Sequence, residues 1–303
     1  MNKITWAAGN GLNDSVANLK AWLQALHDNL IAAGLVQTAD TGQLSISAIS
    51  ATLIAGSYLA PLLYRFDDAE AASSPIIIKI RPFAGCFGSS SAFGGVAVTV
   101  GRATDGAGNI TGVNTGEFNF YNSSIGAVGS LPRLSSQSYV IHSNGRFSML
   151  LGVGWTLNGV NSFCMLFLDI NRTAGGIIIT SNASPYDPGN IVSHASMRIR
   201  KARLDTIFRG WRQDLCYWAG GADAPTAGGA VQMQRTYRLA PALEADPSLA
   251  LYWASSVTTG DQFALSVDGV SRNYIAVGNA TCLVVDPITN TNVVGVALLW
   301  GDL

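Results

Sequence analysis

Charge is what this chain has least of. Of its 303 residues only 12% are Asp, Glu, Lys or Arg, while 48% are hydrophobic. A usual soluble domain carries about twice that charged share. Such a composition excludes a disordered chain, because there is ample apolar surface to bury. The net charge of −1 gives no reason to expect nucleic acid or a membrane surface as partner. It also removes the repulsion that keeps solvated monomers apart, so part of the apolar surface is expected to be buried against other chains.

Other scarcities narrow the chemistry. The three histidines, His27, His142 and His194, have no carboxylate, His or Cys at ligand spacing, so no metal site and no cofactor are expected. Glu70, Glu117 and Glu244 are the only glutamates. A glycosidase would need two carboxylates held across a sugar, a separation that spacing along the chain does not show. No Gly-x-Ser-x-Gly elbow is present, although triad members need not be near in sequence. The longest apolar region, Ile49 to Leu63, is broken by Ser50, Thr52, Gly56, Ser57 and Pro61 and is too short to span a bilayer. Met1 to Gly11 has no apolar core of a secretory signal. Cys86, Cys164, Cys216 and Cys282 are widely spaced; free thiols and synthesis in a reducing cytoplasm are the expectation.

What the chain does have is strand and turn grammar. Ile76 to Ile80 and Val96 to Val100 are β-branched runs separated by a Gly/Ser loop, and Asp105-Gly106-Ala107-Gly108-Asn109 turns the chain again. That last segment has a passing likeness to a calcium loop. It lacks the spaced oxygen ligands and closing Glu of that pattern, and reads as a hairpin turn. Ser138 to Leu151 is a hairpin around Asn144-Gly145, and Phe163 to Ile170 with Ile177 to Thr180 make two strands around a turn at 171–176. Further strands are expected at 230–239, 249–255, 263–267, 274–277, 282–285 and 293–300, and a long exposed loop at 113–135. Short strands recurring every 10 to 15 residues predict an all-β chain: an antiparallel β-sandwich, jelly-roll-like, with a short N-terminal helix.

That helix is expected over 13–34, capped by Asn13 or Ser15 and ended by Gly34. Val16, Leu19, Leu23, Leu26 and Leu30 step by three and four, with Trp22 beside them. Such a seam either lies on the chain's own sheet or packs against copies of itself or another protein. The domain expectation is a helical anchoring or oligomerisation arm at 1–45 and a β region at 46–303, the latter dividing near 185–195 where Pro185, Pro188 and Gly189 stand. The Ser/Thr/Gly-rich segment 35–57 is the expected boundary, and residues 1–40 are expected to be removable.

Two clusters are candidate binding features. Arg198, Arg200, Lys201, Arg203, Arg209 and Arg212 fall within 15 residues. They read either as a solvated strand face or as a patch for an anionic glycan, phosphate or acidic partner. Duplex binding is not expected, since no recognition helix accompanies them. Trp211, Tyr217, Trp218, Tyr237, Tyr252 and Trp253 crowd the C-terminal half, as core, interface or a sugar-stacking platform.

The leucine-seamed helix running into Ala33 to Leu44, followed by Tyr64-Arg65-Phe66-Asp67-Asp68, Ile78-Lys79-Ile80, Val98-Thr99-Val100-Gly101 and Thr104 to Gly112, resembles a group of tailed-bacteriophage virion structural proteins of tail, fibre or baseplate. The likeness covers roughly residues 10 to 115, and the rest only in style. It implies a virion component, and appendages of this kind are commonly trimeric; with the composition, the expectation is a structural, non-enzymatic virion protein, made in the host cytoplasm and associated with copies of itself and with other virion proteins. A carbohydrate- or receptor-binding module of the tail is the alternative, and a polysaccharide depolymerase a third. The matching motifs are turn and strand signatures, so no active-site residue carries over.

Overall fold

A computed structural model describes residues 2–6, 16–50, 57–84, 95–115, 117–121, 133–134, 138–143, 146–157, 160–173, 176–181, 200–203, 216–217, 232–239, 243–253, 262–267, 269–276 and 295–302. In chain order the elements are β1 (Asn2–Trp6), α1 (Val16–Ala32), β2 (Leu35–Gln37), a 3-10 turn (Ile46–Ala48), β3 (Ser57–Tyr58), β4 (Leu62–Phe66), β5 (Ile77–Ala84), β6 (Gly95–Thr104), β7 (Ile110–Asn114), β8 (Phe118–Tyr121), β9 (Arg133–Leu134), β10 (Ser138–Ser143), β11 (Arg146–Leu157), β12 (Val160–Thr173), β13 (Gly176–Ser181) and β14 (Arg200–Arg203). After them come β15 (Cys216–Tyr217), β16 (Gln232–Leu239), β17 (Leu243–Trp253), β18 (Gln262–Val267), β19 (Val270–Ala276) and β20 (Gly295–Asp302). The fold is therefore sheet-dominated with one α-helix among the described residues, and the strand registers are antiparallel.

The chain divides into two compact units, Met1–Val160 with Met165–Ile191 and Arg200–Arg212, and Asn161–Cys164 with Val192–Ile199 and Gln213–Leu303. The first holds two seven-stranded sheets. One runs β1-β10-β11-β12-β13-β14 with β9 on β11, and the other β2-β4-β5-β6-β7 with β3 on β5 and β8 on β6. The second unit holds the six-stranded sheet β15-β16-β17-β20-β19-β18.

Alternation decides which residues of the first unit are inside. Leu62, Tyr64 and Phe66 of β4, Ile78 and Ile80 of β5 with Ile76 just before it, and Val96, Val98 and Val100 of β6 are buried, while Arg65 between them is exposed and Lys79 half-buried. Leu63, Ile77 and Ala97 on the other face are buried as well, so the period-two pattern is clear at Arg65 and Lys79 and both faces of these strands are partly covered. The register sets Ile78 opposite Val100 and Ile80 opposite Val98, so β-branched side chains meet across strands. Phe147 and Met149 of β11, Leu168 and Ile170 of β12 and Ile177 of β13 belong to the same buried cluster.

The leucine seam completes that cluster. Leu19, Leu23 and Leu30 are fully buried, and Trp22 and Leu26 nearly so, all with Tyr64, Phe66 and the β5 isoleucines, while Val16 packs partly buried against the cluster's edge. Of the two readings of the seam, packing on the chain's own sheets is the one these contacts fit, and the anchoring residues Val16, Leu19, Trp22, Leu23, Leu26 and Leu30 are covered there. The physical reason is that a three-to-four seam specifies a partner that is apolar and not which partner. The boundary expected at residue 45 also fails to separate two units. Leu35 is buried and β2 pairs with β4 through Leu35 opposite Phe66, so the segment after the helix is the sheet's own edge.

Two further expectations change. The loop expected at 113–135 contains β8, whose Phe118 and Phe120 lie opposite Val98 and Val96; alternating aromatics outweighed the Asn/Ser/Gly content around them. Of the turn expected at 171–176, residues 171–173 and 176 are strand instead, because β12 runs to Thr173 and β13 resumes at Gly176; residues 174–175 lie outside the described residues. The expected strand at 282–285 lies outside the described residues. Pro247 falls inside β17, where Thr236 opposes Asp246 but Arg235 opposes Ala250. The three extra residues form a bulge that accommodates the missing N–H.

Candidate functional site

The densest polar construction in the described chain joins two turns far apart in sequence. Helix α1 ends at Ala32 and is followed by Gly34, whose φ of 93° is a left-handed conformation that suits a residue without Cβ. β2 then delivers residues 38–43 beside the turn between β6 and β7. The Thr41 N–H donates to Gly106 O at 2.8 Å, the Thr41 hydroxyl to the same oxygen at 3.1 Å, and the Gly108 N–H to Asp40 Oδ1 at 3.4 Å. The approach is close: a Cβ at Gly108 would lie 3.2 Å from Thr41 O, and one at Gly42 3.1 Å from Ala107 O. We call this two-turn junction the clasp.

Gln43 binds the clasp to the sheet. Its Nε2 donates to Thr38 O at 2.7 Å, and its Oε1 accepts from the Leu63 N–H at 2.9 Å and from Gln37 Nε2 at 3.1 Å. Both ends of one amide are thereby satisfied, which a half-buried position requires. Asp40 is subject to burial, which favours the neutral acid. Hydrogen bonds from Thr38, Thr104 and the backbone of Gly108 and Gly106 outweigh it and hold the carboxyl below its usual range.

Asp105 explains why the calcium-like segment is a turn. Its carboxylate accepts from Asn109 Nδ2 at 2.8 Å, the Asn109 N–H at 3.0 Å and the Ala107 N–H at 2.8 Å. These bonds, the Asn109 side chain first, bring its pKa down to about 2. The oxygens that a cation would take are occupied by the loop's own donors. No group of three or more His, Cys, Asp or Glu among the described residues is arranged to hold a metal ion.

The outward face of β5 carries the second polar group. Arg81 Nη2 lies 2.6 Å from both Glu117 oxygens, and its guanidinium sits 3.8 Å above the Tyr58 ring. Lys79, two residues earlier on the same face, reaches Asn109 Oδ1 at 3.3 Å. Desolvation lowers the Lys79 pKa, and the neighbouring Arg81 charge adds to this against Glu117 and Asp105. A third group is buried. Arg172 of β12 donates to Asp68 Oδ2 at 2.7 Å and to Ser74 O from two nitrogens, with both side chains of the ion pair 4% exposed. Its hydrogen bonds compensate a charge that would otherwise be costly at that depth. Between helix and sheet, His27 Nδ1 and the Tyr64 hydroxyl are 2.9 Å apart. Burial, with the Asp28 charge behind it, pushes the Tyr64 pKa well up.

The basic cluster is only partly within the described chain. Arg200, Lys201 and Arg203 lie on β14 opposite Ser181, Thr180 and Ile178, whereas Arg198, Arg209 and Arg212 fall outside the described residues. Of the aromatics, Tyr217 stands opposite Tyr237, Tyr252 opposite Met233 and Trp253 opposite Gln232; Trp211 and Trp218 are outside. His142 is on β10 opposite Phe147, and His194 is outside. Cys164 is on β12 and Cys216 on β15, with Cys86 and Cys282 outside. Sequence reasoning quoted Gln43 only as part of the segment 33–44 and gave it no role, and it missed Arg172; the strand partner of the first is 20 residues away and the carboxylate partner of the second 104. Compared with protein-family models, curated proteins and solved structures, the chain matches none.

Proposed function

We propose that this chain is a structural component of a tailed-phage virion, in its tail, fibre or baseplate, and that its first unit is a β-sandwich displayed or packed within the particle. One observation carries the reading. The segments that bear the resemblance, 33–44 and 104–112, are the two halves of the clasp. On this reading the signature is architectural: it encodes how a turn is tied to a hairpin. The single buried cluster drawn from two antiparallel sheets supports the sandwich arrangement. Low charge and high apolar content suit a chain that buries surface in an assembly.

On this reading attachment to the particle uses surfaces other than the leucine seam, which is already occupied. The partners are other virion proteins and further copies of the chain. A second reading, a receptor module for a host-surface glycan, is favoured by one placement: Tyr217 and Tyr237 are cross-strand neighbours at the end of the second unit's sheet, as a stacking platform needs. Quantitative mass spectrometry and immunogold labelling of gradient-purified virions test the first reading. The expected result is a fixed copy number per particle and label at one location. A protein abundant in the infected lysate yet absent from purified particles overturns it. Glycan-array binding lost in Tyr237→Ala, with incorporation unchanged, would favour the second.

A further inference from the structure

Sheet edges expose unpaired backbone donors and acceptors, and proteins usually guard them with charge, shortness, bulges or Pro. The described edges of this chain are guarded in those ways, with one exception. β1 carries Lys3, and β14 is Arg-Lys-Ala-Arg. β2, β3, β8, β9 and β15 have four residues or fewer. β7 has five, and its register with β6 is broken between Gly101 and Ala103. Among the described strands β18 ends the six-stranded sheet of the second unit, and its six residues, Gln-Phe-Ala-Leu-Ser-Val, contain no charge, no proline and no glycine.

We infer that β18 is a self-association edge: it pairs antiparallel with β18 of a second copy of this chain about a two-fold axis at Leu265. Three observations select a second copy as the occupant. The strand alternates apolar Phe263, Leu265 and Val267 with Gln262, Ala264 and Ser266. Residues facing each other across an antiparallel pair share a sheet face. Symmetric pairing centred on Leu265 puts Phe263 opposite Val267 of the second copy and Ala264 opposite its Ser266, so apolar meets apolar and small meets small. No other centre matches all three apolar positions. The near-zero net charge of −1 leaves no long-range repulsion between copies. The exposed Gln262 and Ala264 leave the opposite face of the strand free of bulk. Two six-stranded sheets thereby become one continuous sheet, and two unguarded edges disappear in a closed, isologous contact.

The test uses the purified full chain, independently of any particle. Sedimentation velocity at about 100 µM is expected to give twice the 31.7 kDa chain mass. Ala264→Lys with Ser266→Lys places like charges opposite one another at the dyad and is expected to give the single-chain mass; Ala264→Glu with Ser266→Glu is expected to do the same. An equimolar mixture of the two variants is expected to restore the double mass. A wild-type monomer at that concentration, a wild-type trimer or larger ring, or a dimer untouched by both double variants overturns the inference. Should the variants lose their circular dichroism, hydrogen exchange on the wild type decides. The amides of 263–267 are expected to slow about tenfold or more between dilute and concentrated protein, and exchange independent of concentration overturns it.

Discussion

The leucine seam and the clasp grip the same sheet by opposite physics. The seam acts through area: five side chains of α1, each 3% exposed or less, share one cluster with β4, β5 and β6. Burial of this kind is non-directional, and it tolerates any apolar neighbour of suitable volume. The clasp acts through direction: Asp40, Thr41 and Gln43 meet particular backbone atoms at 2.7 to 3.4 Å, around glycines where a Cβ would crowd the facing backbone. One holds strongly and could have held something else. The other contributes less energy and admits a single arrangement. The pair shows that strength and specificity can be assigned to different parts of one sheet.

Removal of the helix breaks the comparison most severely. Without residues 1–34 the inward faces of β4, β5 and β6 lose their cover, so the truncated chain is expected to lose its cooperative melt and to aggregate. Circular dichroism and light scattering check this. A soluble truncation with a native-like melt would restore the picture of an independent arm.

A single seam position measures the area-based grip. Leu23→Ala removes a fully buried side chain and is expected to cost about 2–5 kcal/mol, read from urea unfolding of the full chain. A loss below about 1 kcal/mol would place it in a site that collapses readily.

The clasp is sharpened by two glycines in similar backbone conformations. Gly108→Ala meets a φ of 92° and Thr41 O at 3.2 Å, whereas Gly106→Ala meets a φ of 76° and open space. The former is expected to cost about 1–3 kcal/mol and the latter about 1–2 kcal/mol. The excess at Gly108 reports the close approach of the two turns. Equal losses would mean that the turns do not need each other.

The smallest effect is in Asp105. Its pKa stands near 2, against 3.8 for the unperturbed group. A depressed carboxyl contributes stability that is complete above its unfolded pKa and is lost as pH falls through the folded one. Its contribution is therefore expected to fade between about pH 4 and pH 2. Carbon-detected NMR of the side-chain carboxyl checks the midpoint, and Asn109→Ala is expected to raise it. A midpoint near 4 in the unaltered chain would mean that the turn's donors do not hold the carboxylate.

Legibility followed the range of the interaction. The helix was readable because Gly34 and the three-to-four spacing act within a few residues, and its observed span, Val16–Ala32, lies inside the expected one. The β6–β7 turn was readable because Asp105 bonds residues two and four positions on. The β10–β11 hairpin was readable for the same local reason, as Ser143 opposite Arg146 shows. The clasp was half legible: each turn stood out, and their meeting did not. Arg172 with Asp68 was not legible at all, because nothing local marks an arginine that will reach across 104 residues.

The amino-acid sequence by itself determined the elements: where strands start, where the chain turns, and that one helix has an apolar stripe. Local sterics, turn chemistry and periodicity act over a few residues and do not depend on the rest of the chain. Only the tertiary structure decided what each surface faces. The seam met its own sheet, Gln43 met Leu63, and Phe118 to Tyr121 left the expected loop to pair with β6. The physical reason is that burial rewards any complementary apolar surface. Which one is chosen depends on the chain's closure as a whole, and that is not written at any single position.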